Sequence, residues 1–229
     1  MEKIASGKTK DVYRKENGNL VLLFKDDATG DETGINPGAN TVKGKIAGKG
    51  RMSFELTCYF FDLLKKKGVV THFVSVDGSG QAIEVKKASL LGSKGLEFVW
   101  RSVACGSFYR RYKTLVKEEF QKLLEPVVEI TLKDDQGGDP PITANSLAAL
   151  GVLEEAEVEE LINQTKIAVN YIREDLKEKG LDLLDIKVEF GKIDGSFALV
   201  DEVSGDSMRV AKQGKVLNHQ ELYQAIIAS

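Results

Sequence analysis

Leu183-Leu184-Asp185-Ile186-Lys187-Val188-Glu189-Phe190, then Gly191-Lys192-Ile193-Asp194-Gly195, then Ser196-Phe197-Ala198-Leu199-Val200-Asp201-Glu202, is the stretch on which the fold turns. Successive side chains of a strand point to opposite faces, so Asp185, Lys187 and Glu189 line one face and Leu184, Ile186, Val188 and Phe190 the other. Glycine at both ends of the intervening turn predicts a hairpin, which brings Asp201 and Glu202 into the same sheet. Such a charged face is ordinarily the solvated side of an antiparallel sheet. Acid density at the strand exits supports a second reading. Carboxylates on rigid strands suit Mg²⁺, which is normally held by one or two of them together with substrate phosphates.

Outward from this hairpin the chain alternates strands and helices. Upstream, Val158, Leu161, Ile162, Thr165, Val169, Ile172 and Leu176 form one helical stripe, predicting a helix over 154–179. Thr143 is placed to cap a short helix stopped by Gly151. Strands are expected at 96–100 and 126–132, with 134–141 as a loop. Nearer the N-terminus, 11–15 and 20–25 read as strands joined by Glu16-Asn17-Gly18-Asn19. Residues 26–50, polar and glycine-rich with Pro37, are expected to be mobile or functional. A helix over about 50–67 ends on Lys65-Lys66-Lys67 and Gly68. Strands at 72–76 and 81–87 flank Asp77-Gly78-Ser79-Gly80, and a final helix lies near 219–228. The pattern is α+β with mainly antiparallel sheets and packed helices. An N-terminal lobe over 1–87 and a C-terminal lobe over 88–229 are expected.

With 229 residues, 42% of them hydrophobic, the chain can bury a substantial core. The 32 basic residues against 35 acidic ones leave a formal charge of −3, which disfavours non-specific nucleic-acid binding. No apolar run reaches the ~18 residues of a membrane span, and Met1–Lys8 has no apolar signal-peptide core. Cys58 and Cys105 lack C-x-x-C pairing and read as buried thiols, so a cytoplasmic location is expected.

Common catalytic signatures are missing. Gly7-Lys8-Thr9 imitates the end of a P-loop, but Glu2 stands where its first glycine belongs. No G-x-S-x-G, H-E-x-x-H or H-R-D occurs, and His72 and His219 read as structural or exposed. Chemistry must then run on carboxylates, lysines and arginines. Lys8 and Lys10 follow Gly7 at a spacing that puts both on one side of an extended segment. There they serve either an anion or the protection of an edge strand. In Arg101-Ser102-Val103-Ala104-Cys105-Gly106-Ser107, small residues allow close approach, and Arg101 and Ser107 could grip a phosphate. Arg110 and Arg111 beyond it read as helix-surface charge. Lys133-Asp134-Asp135-Gln136-Gly137-Gly138-Asp139-Pro140 and Ser204-Gly205-Asp206-Ser207-Met208-Arg209 are, taken singly, ordinary polar turns.

Taken in order, these stretches resemble the SAICAR synthetase family. They comprise Gly7–Tyr13, Phe24–Thr29, Gly48-Lys49-Gly50, Thr71-His72-Phe73, Arg101–Ser107, Leu132–Pro140, Asp185–Gly191, Asp201–Ser204 and Asp206–Arg209. Two departures stand out: Ser102 where the family often has Asn, and Gly205 where many members have Pro. The resemblance implies a two-lobed fold akin to ATP-grasp and kinase-like enzymes, with ATP between the lobes. It also implies condensation of the carboxylate of the aminoimidazole ribotide CAIR with L-aspartate, ATP going to ADP and phosphate through an acyl phosphate. By the same resemblance Gly7, Lys8 and Lys10 lie over the ATP phosphates, and Glu189 and Asp201 hold Mg²⁺. Arg101, Ser107, Asp206 and Arg209 meet the ribotide, Asp185 and Lys187 sit by its reacting end, and Asp139 lies near the amino acid. The expected partners are these small molecules, without nucleic acid or membrane, and a homodimer is left open. A small-molecule kinase using the same Mg·ATP site and a silent nucleotide-binding module are the rival readings.

Overall fold

The structure is a computed structural model and describes residues 1–31, 34–35, 41–78 and 80–228. Pro37 and Ser79, both noted above, lie outside the described residues. The strands β1 (Glu2–Ser6), β2 (Lys10–Arg14), β3 (Leu20–Phe24), β4 (Asp27–Asp31), β5 (Gly34–Ile35) and β6 (Thr41–Lys45) precede helix α1 (Lys49–Lys66). Then come β7 (Phe73–Asp77), β8 (Ala82–Val85), β9 (Ser89–Leu90), β10 (Leu96–Ala104), α2 (Gly106–Tyr112), β11 (Gln121–Leu132), α3 (Ala144–Ala149) and α4 (Glu155–Glu178). The chain continues through β12 (Asp182–Ile193), β13 (Ser196–Val200), β14 (Met208–Lys212), β15 (Lys215–Val216) and α5 (His219–Ile226).

The α+β expectation holds, with antiparallel pairing throughout both large sheets. One sheet runs β1-β2-β3-β8-β7; the other runs β11-β10-β12-β14-β15, with β13 and β9 also paired to β12. The first draws on residues up to Val85 and the second on residues from Ser89 onward. α1 packs against β3, β4 and β8 on one side and against α4 and α5 on the other. A single apolar cluster therefore runs from Leu22, Phe24 and Ile83 through Phe60 and Leu64 to Phe98, Ile186 and Phe190. Phe98 and Phe190, neighbours across β10 and β12, meet edge to face at 5.5 Å.

The local signals act as their chemistry dictates. Thr143 caps α3 by accepting from the Ser146 backbone N–H at 3.1 Å. Glu154 and Glu157 close a reciprocal capping box on α4, whose stripe Val158, Leu161, Val169, Ile172 and Leu176 is buried.

Three features depart from expectation. Residues 26–50 hold a small three-stranded sheet, β5-β4-β6, before the helix begins. Its strands carry few apolar residues, so no alternation announces them. β10 runs on to Ala104 and β11 starts at Gln121, which lengthens the hairpin that carries the Arg101 segment. Finally, the register slips between Leu183 and Asp185, and this bulge turns Leu183 into the core while Leu184 stays half-buried.

Candidate active site

The charged face of β12 is not solvated. Asp185 is 3% exposed and Glu189 5%, with Arg101 and Arg209 closed on the first and Lys133 on the second. Pairing sets Glu97 opposite Glu189, Val99 opposite Lys187 and Arg101 opposite Asp185. Like charges directly opposite one another destabilise a sheet, and here the neighbours offset them. Lys187 Nζ donates to Glu97 Oε1 at 2.6 Å, and Thr131 Oγ1 to Glu97 Oε2 at 2.9 Å. Lys133 Nζ spans both Glu189 oxygens at 2.8 and 2.9 Å.

Gly7–Lys10 closes over this floor. A turn from the Gly7 N–H to the Lys10 carbonyl (2.7 Å) and a bond from Lys25 Nζ to the Gly7 carbonyl (2.8 Å) hold it in place. Lys10, buried, reaches down to Asp201 Oδ1 at 3.1 Å and to Glu202. Glu202 also takes Thr9 Oγ1 at 3.2 Å and Ser204 Oγ at 2.6 Å. Lys8 crosses to Asp135 Oδ1 at 2.6 Å. The enclosed cleft, about 310 Å³, is lined by Gly7, Lys8, Lys10, Lys133, Lys187, Glu189, Asp201 and Asp206 among others. Asp201 follows the last residue of β13 with φ 66, a left-handed conformation that Asp adopts more often than most side chains with a Cβ.

The charges set each other's protonation. Burial opposes the Lys10 ammonium, but Asp201 and Glu202 outweigh it and hold its pKa above the ordinary range. Lys187 is likewise raised by Glu97 and Glu189 against its burial. Burial pushes Asp201 up, yet Lys10, Lys133 and Lys187 bring it well below the usual carboxylate range. Glu189 is pushed up by burial and by the charge of Asp201. Two carboxylates, Glu189 buried and Asp201 half-buried, that repel one another among three lysines suit a divalent cation. No cluster of three or more His, Cys, Asp or Glu is arranged for a metal among the described residues, so a cation here needs oxygens from a substrate as well.

A second cluster lies farther along β12. Arg101 Nη1 and Arg209 Nη1 both donate to Asp185 Oδ2, at 2.5 and 2.6 Å. Arg101 also binds Glu129 Oε2 through Nε at 3.1 Å and Ser107 Oγ through Nη2 at 3.0 Å. Arg111, expected on the helix surface, shares Glu129 at 2.6 Å. The other Asp185 oxygen, Oδ1, is buried with no hydrogen-bond partner among the described residues. Gly106 has φ +55, and a Cβ there would sit 3.0 Å from Arg209 Nη2, so glycine keeps the arginine's place open. Burial, then the charge of Asp185, pushes the Cys105 thiol up to about 12, which keeps it neutral.

Two expected residues are held differently. Asp206 borders the cleft, but its Oδ2 takes the fully buried Lys49 and Ser53 Oγ (2.9 Å), and its Oδ1 meets His219 Nε2 at 3.2 Å. His219 fills the space a side chain at Gly205 would need, its Cδ2 lying 3.0 Å from an added Cβ. Asp139 folds back onto its own loop, accepting from the Asp134 N–H at 2.9 Å, and burial with the charge of Glu97 raises its pKa. Sequence reasoning did not single out Glu97, Lys133 or Lys49 as site residues. Glu97 and Arg101 interrupting an apolar strand at spacing four was the available signal for the first. For the two lysines only the family stretches around them pointed this way.

A profile of the SAICAR synthetase family matches residues 3–222. The phosphoribosylaminoimidazole-succinocarboxamide synthase of Clostridium tetani is 42% identical over 229 residues, covering 99% of this chain and all of that one. Among solved structures, a SAICAR synthetase (Type-2) in complex with ADP superposes with a TM-score of 0.86 at 30% identity, covering 99% of this chain and 98% of the other. The SAICAR synthetase (Type-1) of Pyrococcus horikoshii OT3 superposes with a TM-score of 0.82 at 30% identity, covering 96% of this chain and 98% of the other. The chain belongs to the SAICAR synthetase family.

Proposed function

We propose that this chain is an ATP-dependent carbon–nitrogen ligase that joins the carboxylate of CAIR to the amine of L-aspartate, forming SAICAR, ADP and phosphate in the cytoplasm. The observation that carries the reading is the face of β12. It runs from two arginines at Asp185, past Lys187, to the paired acids Glu189 and Asp201 under Gly7–Lys10. At ~3.3 Å per residue, Asp185 and Glu189 are separated by roughly 13 Å, a span suited to a ribotide with its phosphate at one end and its carboxylate at the other. The chain divides in this reading into a nucleotide-covering lobe over 1–87 and a substrate-binding lobe over 88–229.

Each residue then has a physical task. Lys8 and Lys10, with the Gly7 backbone, bind the nucleotide phosphates. Arg101, Ser107 and Arg209 hold the ribotide phosphate; Lys187 keeps the place expected for it by the reacting end, whereas Asp185, expected beside it, lies between the two arginines. The ribotide carboxylate attacks the γ-phosphorus while the bond to ADP breaks. Aspartate's ammonium gives one proton to solvent, and the free amine then displaces phosphate from the acyl carbon, a second proton leaving as the amide forms. A carboxylate alone is a poor acyl donor, and the mixed anhydride supplies the leaving group. The obstacle is repulsion, since two unit charges 4 Å apart cost roughly 4 kcal/mol at an effective dielectric near 20. Lys10, Lys133 and Lys187, all charged at neutral pH, offset it and hold the groups in line. Glu189 and Asp201 would hold Mg²⁺, which neutralises phosphate charge when bound. Asp139 and Asp206 border the substrates, with Asp206 anchoring Lys49.

The test is ADP release with each substrate omitted in turn, which should require both CAIR and aspartate. A small-molecule kinase would consume ATP with a hydroxyl acceptor and no aspartate, and family membership does not favour it. Glu189→Ala and Asp201→Ala should abolish turnover with the fold retained, and Arg209→Ala should chiefly raise the KM for the ribotide. Near-normal rates in either acid variant would remove the metal assignment.

A further inference from the structure

Asp201 holds a left-handed backbone conformation, φ 66, which Asp adopts more readily than most side chains and which fixes the direction of both its carboxylate and its carbonyl. Its carboxylate is drawn toward Lys10. Its carbonyl is met from the other side by His72, whose Nε2 lies 3.2 Å away. A carbonyl only accepts, so the ring nitrogen is the donor.

His72 is itself fixed on three sides. The Val70–His72 segment runs parallel to β13, the Leu199 N–H donating to the Val70 carbonyl and the His72 N–H to the Leu199 carbonyl, both at 3.0 Å. The His72 carbonyl accepts from the Lys86 N–H at 2.8 Å. The edge of one ring faces the other where His72 meets Phe61 of α1, with centroids 5.6 Å apart at 90°, and His72 is 5% exposed. The imidazole thus has one orientation, and that orientation grips the backbone of Asp201.

We propose that His72 is a positioning residue for Asp201: its Nε2–H holds the Asp201 carbonyl and so aims the carboxylate that binds the nucleotide's divalent cation. The inference rests on the assignment of Mg²⁺ to Glu189 and Asp201 above. Partners that orient a metal ligand typically change metal affinity or activity by 10- to 100-fold when removed.

The test is ADP binding by calorimetry, in Mg²⁺ and in EDTA, for the wild type, Asp201→Asn, His72→Phe, His72→Gln and His72→Asn. Phe keeps the ring and its contact with Phe61 but has no donor. The Gln amide reaches the Nε2 position, whereas the Asn amide falls short of it. His72→Phe should bind ADP in EDTA as the wild type does and lose about 10-fold of the tightening that Mg²⁺ brings. Its kcat should fall while KM for CAIR and aspartate stays within about 2-fold. His72→Gln should recover most of both losses. If His72→Phe does not fold, His72→Asn takes its place against His72→Gln. Full Mg²⁺ tightening in the donorless variant, or no rescue by Gln, overturns the role of His72 and leaves the metal assignment standing. Equal Mg²⁺ tightening in the wild type and Asp201→Asn overturns both.

Discussion

Replacing Asp185 by Asn isolates one electrostatic knot. The two guanidinium groups converge on a single oxygen, Oδ2, at 2.5 and 2.6 Å, with all three side chains nearly buried. A hydrogen bond to a charged group contributes about 1.5–3 kcal/mol, so two contribute about 3–6 kcal/mol. Asn keeps a neutral acceptor worth about 0.5–1.5 kcal/mol per bond. Arg101 also keeps Glu129 and Ser107. The net loss should be about 3 kcal/mol, toward the lower end for a buried pair deprived of one partner. At roughly 2–4 °C per kcal/mol for a chain of this size, the melting temperature should fall by about 6–12 °C. Calorimetric melts of Asp185→Asn with and without inorganic phosphate check this. Phosphate should raise the variant's melting temperature more than the wild type's, because an anion then replaces the lost carboxylate charge. A variant that melts within about 2 °C of the wild type and ignores phosphate would refute the reasoning.

Lys49→Met should cost about 3–5 kcal/mol in urea unfolding, since Lys49 is fully buried on Asp206 and its removal strands that carboxylate; a loss below about 1 kcal/mol contradicts this. Burial works against the Asp206 carboxylate, but His219 and Lys49 hold its pKa below the ordinary carboxylate range. Its stabilisation is complete above the unfolded value near pH 4 and is lost as pH falls through the folded value, so the stability gap between wild type and Asp206→Asn should narrow from about pH 5 to pH 2. A constant gap counts against it. Lys8 and Asp135 are substantially exposed, and such pairs contribute at most about 1 kcal/mol, so Asp135→Asn should tighten ATP binding by no more than about 5-fold. A larger change in the ATP KM would mean that the contact does more than tether Lys8.

Strict alternation from Asp185 to Phe190 made both the hairpin and its charged face legible, because period-two patterning follows from strand geometry alone. Burial of that face was not legible. It depends on Gly7–Lys10 folding over the Glu189 end from far along the chain and on Arg101 and Arg209 closing on Asp185, and a one-residue register change would have turned those carboxylates outward. Glu97 and Lys133 acquire their roles only through the pairing of Glu97 with Glu189 and the return of β11 beside β10. The sheet β5-β4-β6 was hidden for another reason: pairing of Asp27 with Lys45 across polar, glycine-bearing strands leaves no hydrophobic pattern. His72 looked structural from sequence and is held as such, yet its ring nitrogen lies on the backbone of a proposed metal ligand.

In the proposed function Glu189 of β12, and Asp201 just past the end of its partner strand β13, take a divalent cation against the nucleotide phosphates beneath Lys8 and Lys10. Crystals grown with Mn²⁺ and a non-hydrolysable ATP analogue test it through the anomalous signal of the metal. One peak between the two carboxylates and in contact with phosphate oxygens is the expected result. A peak held by other side chains, with Glu189 still on Lys133 and Asp201 still on Lys10, would contradict it.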